Sequence, residues 1–140
     1  MSKSLLTKTT LATLALLISA TGCAHKKPDP MDSVSGVIVK PDYVKYGPGA
    51  LAHVRLADVT KGHVESTTVV EKTVRPNDDG TIPFTLVFKE KEINPSHVYA
   101  VDARVIDRDH VTIIGGKQNP VLTKGHGNTV EMSLDRGSQF

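Results

Sequence analysis

Apolar and polar residues alternate along most of the chain beyond position 33. Val37 and Val39 share one face of a first run. Ala52, Val54 and Leu56 share a face, with His53 and Arg55 opposite. Phe84, Leu86 and Phe88 form another row. Tyr99, Val101, Ala103 and Val105 form the longest, with Asp102 and Arg104 turned the other way. Val111 and Ile113 follow, and Val130, Met132 and Leu134 close the set. A period of two predicts strands with one face buried, and no segment sustains the 3.6-residue period of a helix. Val64 to Arg75 is rich in β-formers but alternates poorly. Lys72 falls on the face of Val70 and Val74, as expected of an edge strand guarded by an inward lysine. Gly47-Pro48-Gly49, Asn77-Asp78-Asp79-Gly80, Arg108-Asp109, Gly115-Gly116 and Lys124-Gly125-His126-Gly127-Asn128 are turn signals between the runs. The prediction is an all-β fold, a single β-sandwich of about seven strands over 34–136 with an immunoglobulin- or fibronectin-like architecture.

The first 22 residues stand apart. Lys3 and Lys8 precede an apolar core from Leu11 to Ile18, and small residues lead to Cys23. This is the layout of a secretory signal peptide, with an apolar stretch too short to span a bilayer. Ala20-Thr21-Gly22-Cys23 resembles a bacterial lipobox. In that chemistry the cysteine thiolate attacks a phospholipid donor and becomes an S-diacylglycerol thioether. Cleavage before Cys23 then frees an amino group for N-acylation. Stable anchoring takes two lipid signals, which a triacylated cysteine exceeds. Ala24 follows the cysteine where the enteric inner-membrane retention signal carries Asp, so outer-membrane lipid is the expected anchor. Residues 23–33, with Pro28 and Pro30, read as the lipidated cysteine and a tether, and 137–140 as a short tail.

Charge changes meaning once the leader is removed. The full chain carries 17 Lys plus Arg against 15 Asp plus Glu. Both basic residues of the leader are lysines, so the mature chain is formally neutral. No basic run argues for nucleic acid. Seventeen valines against five leucines beyond position 22 reinforce the strand reading. With one cysteine there is neither an internal disulfide nor a multi-cysteine metal site.

Catalytic chemistry finds little support. Ile93-Asn94-Pro95-Ser96-His97-Val98-Tyr99 has the spacing of a tyrosine corner, in which the Tyr99 hydroxyl bonds backbone just upstream and Ile93 and Pro95 shape the turn. Six histidines occur without metal-binding spacing, and surface positions are expected for them. Gly125-His126-Gly127 lacks the rest of a phosphate loop. No serine sits in a nucleophile elbow. Neither a catalytic residue, a metal nor a cofactor is expected beyond the lipid on Cys23. Tyr43 and Tyr46 are the aromatics available for stacking on a ligand.

In order, Ser35-Gly36-Val37, Gly47-Pro48-Gly49-Ala50, Val54-x-Leu56-x-Asp58-Val59, Pro83-Phe84, Ile93-x-Pro95-x-x-x-Tyr99, Ala103-Arg104-Val105 and Pro120-Val121-Leu122-Thr123 resemble the YbaY/YscW family of bacterial lipoproteins. The resemblance implies a small β-sandwich lipoprotein of the envelope, outer-membrane anchored and facing the periplasm. Its YscW branch implies a pilotin: a non-enzymatic chaperone that brings a secretin subunit to the outer membrane. Val70, Lys72 and Val74 are then the candidate partner surface, where a sheet edge captures a client tail. The YbaY branch implies instead a general envelope lipoprotein, structural or glycan-binding, with no secretin client.

Overall fold

The computed structural model describes residues 26–106 and 118–134, together with the backbone of 112–114. Among the described residues eight strands follow one another: β1 (Met31–Val39), β2 (Leu51–Asp58), β3 (Thr67–Val74), β4 (Ile82–Lys89), β5 (Tyr99–Ile106), β6 (Thr112–Ile114), β7 (Asn119–Val121) and β8 (Thr129–Ser133). A single 3₁₀ turn, Glu90–Glu92, separates β4 from β5. The described residues contain no α-helix. The smaller sheet has the order β4-β1-β8, and the larger runs β3-β2-β5-β6. Strand β7 pairs the first half of β5 and β6 the second half, so the two lie on the edge of β5 opposite β2. That division raises the count above the seven alternating runs. The β7 piece is three residues long and contains Pro120, which hides it from a propensity reading. All pairings are antiparallel except β1 with β8.

The two sheets pack face to face as a sandwich over one core. The core is built from the inward rows Ala52-Val54-Leu56 of β2, Ile82-Phe84-Leu86-Phe88 of β4 and Tyr99-Val101-Ala103-Val105 of β5, closed by Val121, Met132 and Leu134. These rows are the ones the alternation marks. In β1 the inward row is Val34-Gly36-Ile38, whereas Val37 and Val39 share the outer face, with Val39 40% exposed. Gly36 is the cause. It sits opposite Phe84 in the β1–β4 register. A β-carbon there would collide with the Val130 carbonyl and lie 2.8 Å from Phe84 Cζ. The missing side chain leaves room for the Phe84 ring and also erases the apolar signal at that position.

The weak alternation of β3 also has a local cause. Leu56 faces Val70 while Ala57 faces Thr68, so Val69 is an extra residue bulged out of register. Val69 and Val70 are therefore both half-buried against the core.

The sandwich has two poles. Strand β1 starts at one, beside the end of β4, the end of β2 and the start of β5. It ends at the other, beside the starts of β2 and β4. At roughly 3.3 Å per residue the nine residues of β1 separate the poles by about 30 Å.

Candidate functional site

Ala20, Thr21, Gly22 and Cys23, the lipobox positions, lie outside the described residues, as do Val111 and the side chain of Ile113. The described chain approaches the pole where β1 starts and is fastened there. The Asp29 carboxylate accepts a 2.7 Å hydrogen bond from Lys91 Nζ and lies 3.6 Å from Lys89 Nζ. Its hydrogen bond with Lys91 is the main influence holding it below the usual carboxylate range. The Pro30 carbonyl accepts from the Glu90 amide at 3.0 Å. Strand β1 begins at Met31, so ordered structure starts inside the span that reads as tether.

This anchor pole holds two further clamps. Tyr99, 2% exposed, accepts a 2.9 Å hydrogen bond from the Asn94 amide on its hydroxyl. Ile93 packs on the core, while Pro95 is exposed. Next to this corner His97 Nδ1 lies 2.6 Å from Asp58 Oδ2, and the His97 ring stacks on Tyr99 with centroids 6.5 Å apart. Thr60 Oγ1 donates to Asp58 Oδ1 and accepts from the Val98 amide at 2.9 Å. Burial pushes the Asp58 carboxyl up, but hydrogen bonds from Thr60 and His97 outweigh it and hold it below the usual value. The hydroxyl of Thr60 is thus committed to Asp58 and backbone, not aimed at His97. The cluster ties the end of β2 to the corner before β5. Sequence reading leaves His97 as a surface histidine. The usable signal is the β2–β5 register, which places Asp58 opposite Tyr99.

The candidate partner residues lie along one side of the sandwich. Strand β3 ends the larger sheet and β4 ends the smaller one. Val70 and Val74 are half-buried and pack on the core. Lys72, between them, is exposed. All three lie on the inward face of β3, opposite Leu56, Val54 and Ala52, but only the valines pack on the core, and the long Lys72 side chain leaves it at the open edge, so the three do not make one exposed face. The Lys72 ammonium reaches across the mouth of the sandwich to the Thr85 carbonyl of β4, 3.4 Å away. A groove of about 410 Å³ runs between the two strand edges, lined by Lys72, Val74, Arg75, Pro83, Phe84 and Thr85. Phe84 is 5% exposed and forms its floor. A partner meeting this groove finds two terminal strands, one movable cation and a small apolar base.

The outer faces of the two sheets differ in chemistry. On the larger, Arg55 grips Asp102 through Nε at 3.1 and 3.2 Å and through its terminal nitrogen at 2.5 Å. The hydrogen bond with Asp102 raises the Arg55 pKa further. His53 Nδ1 lies 3.4 Å from Glu71. The smaller sheet pairs Ser33 with Val87, Ser35 with Thr85 and Val37 with Pro83, all uncharged, with Lys89 and Glu131 as charges toward its margins. Tyr43 is 63% exposed, but Tyr46 turns inward against the core. The two do not form a shared stacking platform. Among the described residues no group of three or more metal-ligating side chains converges.

A computed family model for type III secretion system lipoprotein chaperones, YscW, matches residues 29–134. A search of curated protein sequences gives no significant match. Among solved structures the chain is similar to an alternative pilotin from the type II secretion system of Vibrio cholerae. The TM-score is 0.68 at 23% identity, covering 75% of this chain and 96% of that one. At that identity the likeness speaks for the fold, and it extends over nearly the whole of the other protein. The family match spans the sandwich from the Asp29 clamp to Leu134, and on it the chain belongs to the YscW family of type III secretion system lipoprotein chaperones.

Proposed function

We propose that this chain is a pilotin-like, non-catalytic lipoprotein chaperone, anchored through Cys23 in the outer membrane and facing the periplasm, with a secretin subunit as its client. The family match over residues 29–134 carries this reading. The lipid supplies the address. The segment before Asp29 supplies reach, and the sandwich supplies a binding surface for a client segment.

The groove between β3 and β4 is the surface the geometry favours. Both bordering strands end their sheets, so backbone groups along the two edges are open to an added strand. Lys72 holds the mouth by one long hydrogen bond to Thr85 that a client carbonyl or carboxylate can replace. Phe84 offers apolar area at the base. An extended or short helical tail of the client fits such a slot, and the interaction needs no bond-making chemistry.

In-cell crosslinking of the tagged lipoprotein, followed by mass spectrometry, tests the reading. A secretin subunit should be captured. Lys72→Glu should reduce that capture while leaving the domain folded by circular dichroism. Cys23→Ser should abolish labelling by a palmitate analogue and shift capture away from the outer membrane. Undiminished capture with Lys72→Glu would remove the groove from the mechanism. Persistent label on Cys23→Ser would remove the anchor.

A further inference from the structure

At the pole opposite the Asp29 clamp, a cleft of about 510 Å³ opens between the segment after β1 and the β3–β4 turn. Its charged lining is Lys40, Lys45 and Arg75, with Asp78 as the one carboxylate. None of these four has an ion-pair partner among the described residues. Elsewhere among the described residues Arg55, Lys89 and Lys91 have ion-pair partners, whereas Lys61, Lys72, Arg104 and Lys124 stand singly, so it is the grouping of three cations in one concavity that sets the cleft apart. Three cations against one anion leave the cleft net positive.

One of the three cations, Lys40, has a defined seat. Gly80, buried and with φ of +82°, lies under the Lys40 side chain. A β-carbon there would collide with Lys40 Cε and sit 2.6 Å from its Cδ. The glycine therefore lets the lysine stem lie flat across the turn. The turn is stiffened by Asn77 N to Thr81 O at 2.8 Å and Gly80 N to Asn77 O at 2.9 Å. Asp79 accepts from the amide and hydroxyl of Thr81 at 2.8 and 2.7 Å, which leaves Asp79 spoken for. The Tyr46 hydroxyl, in the cleft wall, is enclosed and without a hydrogen-bond partner. Pro48 and Pro76 add apolar wall.

We propose that this cleft is a carboxylate-binding site for an acidic peptide segment, with Lys40, Lys45 and Arg75 as the cationic contacts. Two observations favour a peptide over a lipid headgroup. Arg75 lines both this cleft and the β3–β4 groove, so the cleft continues the groove in which a client segment would lie. The chain also enters at the other pole, so a domain hung from Asp29 turns the cleft away from its own leaflet. The choice of ligand source rests on the reading given under Proposed function, whereas the cation cluster stands without it.

Fluorescence anisotropy on the full chain in zwitterionic micelles provides the test. The probe is a capped hexapeptide of alternating glutamate and leucine carrying a zwitterionic dye, compared with its glutamine counterpart. The glutamate peptide should bind about tenfold more tightly, as several weak exposed ion pairs add. Lys40→Gln with Arg75→Gln should remove that preference, Arg75→Lys should keep part of it, and Lys61→Gln, in the exposed turn after β2 beside Asp58 and Thr60 at the anchor pole, should leave it unchanged. Added salt should weaken the glutamate peptide alone. Equal binding of the two peptides, or no binding of either, would overturn the proposal. So would binding of phosphatidylglycerol vesicles that depends on Lys40 and Arg75 while the peptide is ignored, since the cleft would then read a headgroup. Secretin capture by crosslinking is scored separately, so loss of the carboxylate preference with capture intact counts against the cleft and not against the chaperone reading.

Discussion

The two poles of the sandwich use similar residues in opposite ways. At the anchor pole every prominent polar group is partnered: Asp29 with Lys91 and Lys89, His97 with Asp58, Asp58 with Thr60, Tyr99 with the Asn94 amide. At the far pole Lys40, Lys45, Arg75 and Asp78 have no ion-pair partner among the described residues, and the Tyr46 hydroxyl is orphaned. Burial pushes the Tyr46 phenol up to about 12, so it stays a neutral donor. Satisfied groups stabilise and position, while unsatisfied ones are free to meet something else. On the proposed reading, stability belongs to the pole where the described chain enters and recognition to the far pole.

The sharpest way to break that assignment is Tyr99. The side chain is among the largest fully buried ones and anchors the corner before β5. Tyr99→Ala should cost about 3–5 kcal/mol, the usual range for a buried aromatic cut to alanine. Tyr99→Phe keeps the ring and loses the acceptor for the Asn94 amide, which should cost about 1 kcal/mol. Urea denaturation at pH 7 reads both. If Tyr99→Phe proved as damaging as Tyr99→Ala, the hydroxyl rather than the packing would hold the pole. If neither mattered, the anchor pole would not be the stable one.

Legibility in the sequence follows the same divide between periodic packing and long-range placement. The inward rows of β2, β4 and β5 are readable because their alternation is unbroken. Strand β1 misleads because Gly36 occupies an inward position with no apolar side chain, so the outward Val37 and Val39 look like the buried pair. In β3 the bulge at Val69 shifts the phase midway, and Val70 and Val74 turn out to be packing residues. Strand β7 is too short and contains a proline. The His97–Asp58 contact joins residues 39 apart, and Lys40 meets Gly80 across a comparable span. Such pairs depend on strand register and loop path, which no local pattern encodes.

A smaller effect should follow from acid. Because the folded Asp58 carboxyl lies below its ordinary value, its contribution is present above the unfolded pKa of about 3.9 and is lost as pH falls through the folded value. Asp58→Asn should therefore lower stability at pH 7 and less so at pH 3, narrowing the gap to the parent. The side chain is 22% exposed, so solvent screening keeps the difference under about 1 kcal/mol. Asp29 and Asp79 are shifted in the same direction, so part of the acid slope should survive in the variant. A loss identical at both pH values would mean that shape, not charge, is what Asp58 supplies.

The smallest effect should have the opposite sign. Removing a charge from the anchor pole breaks a pair, whereas removing one from the far pole relieves repulsion among like charges. Arg75→Gln should leave stability unchanged or raise it by up to about 0.5 kcal/mol at low ionic strength. The gain should fade near 0.1 M salt, where the screening length is about 10 Å. Lys91→Gln, which takes the hydrogen-bonded cation from Asp29, should instead lower the midpoint slightly under the same conditions. Thermal unfolding of the two variants with and without salt compares the poles directly. A destabilising Arg75→Gln would mean that the arginine already has a structural duty, and a cation engaged in holding its own fold is not one held ready for a carboxylate.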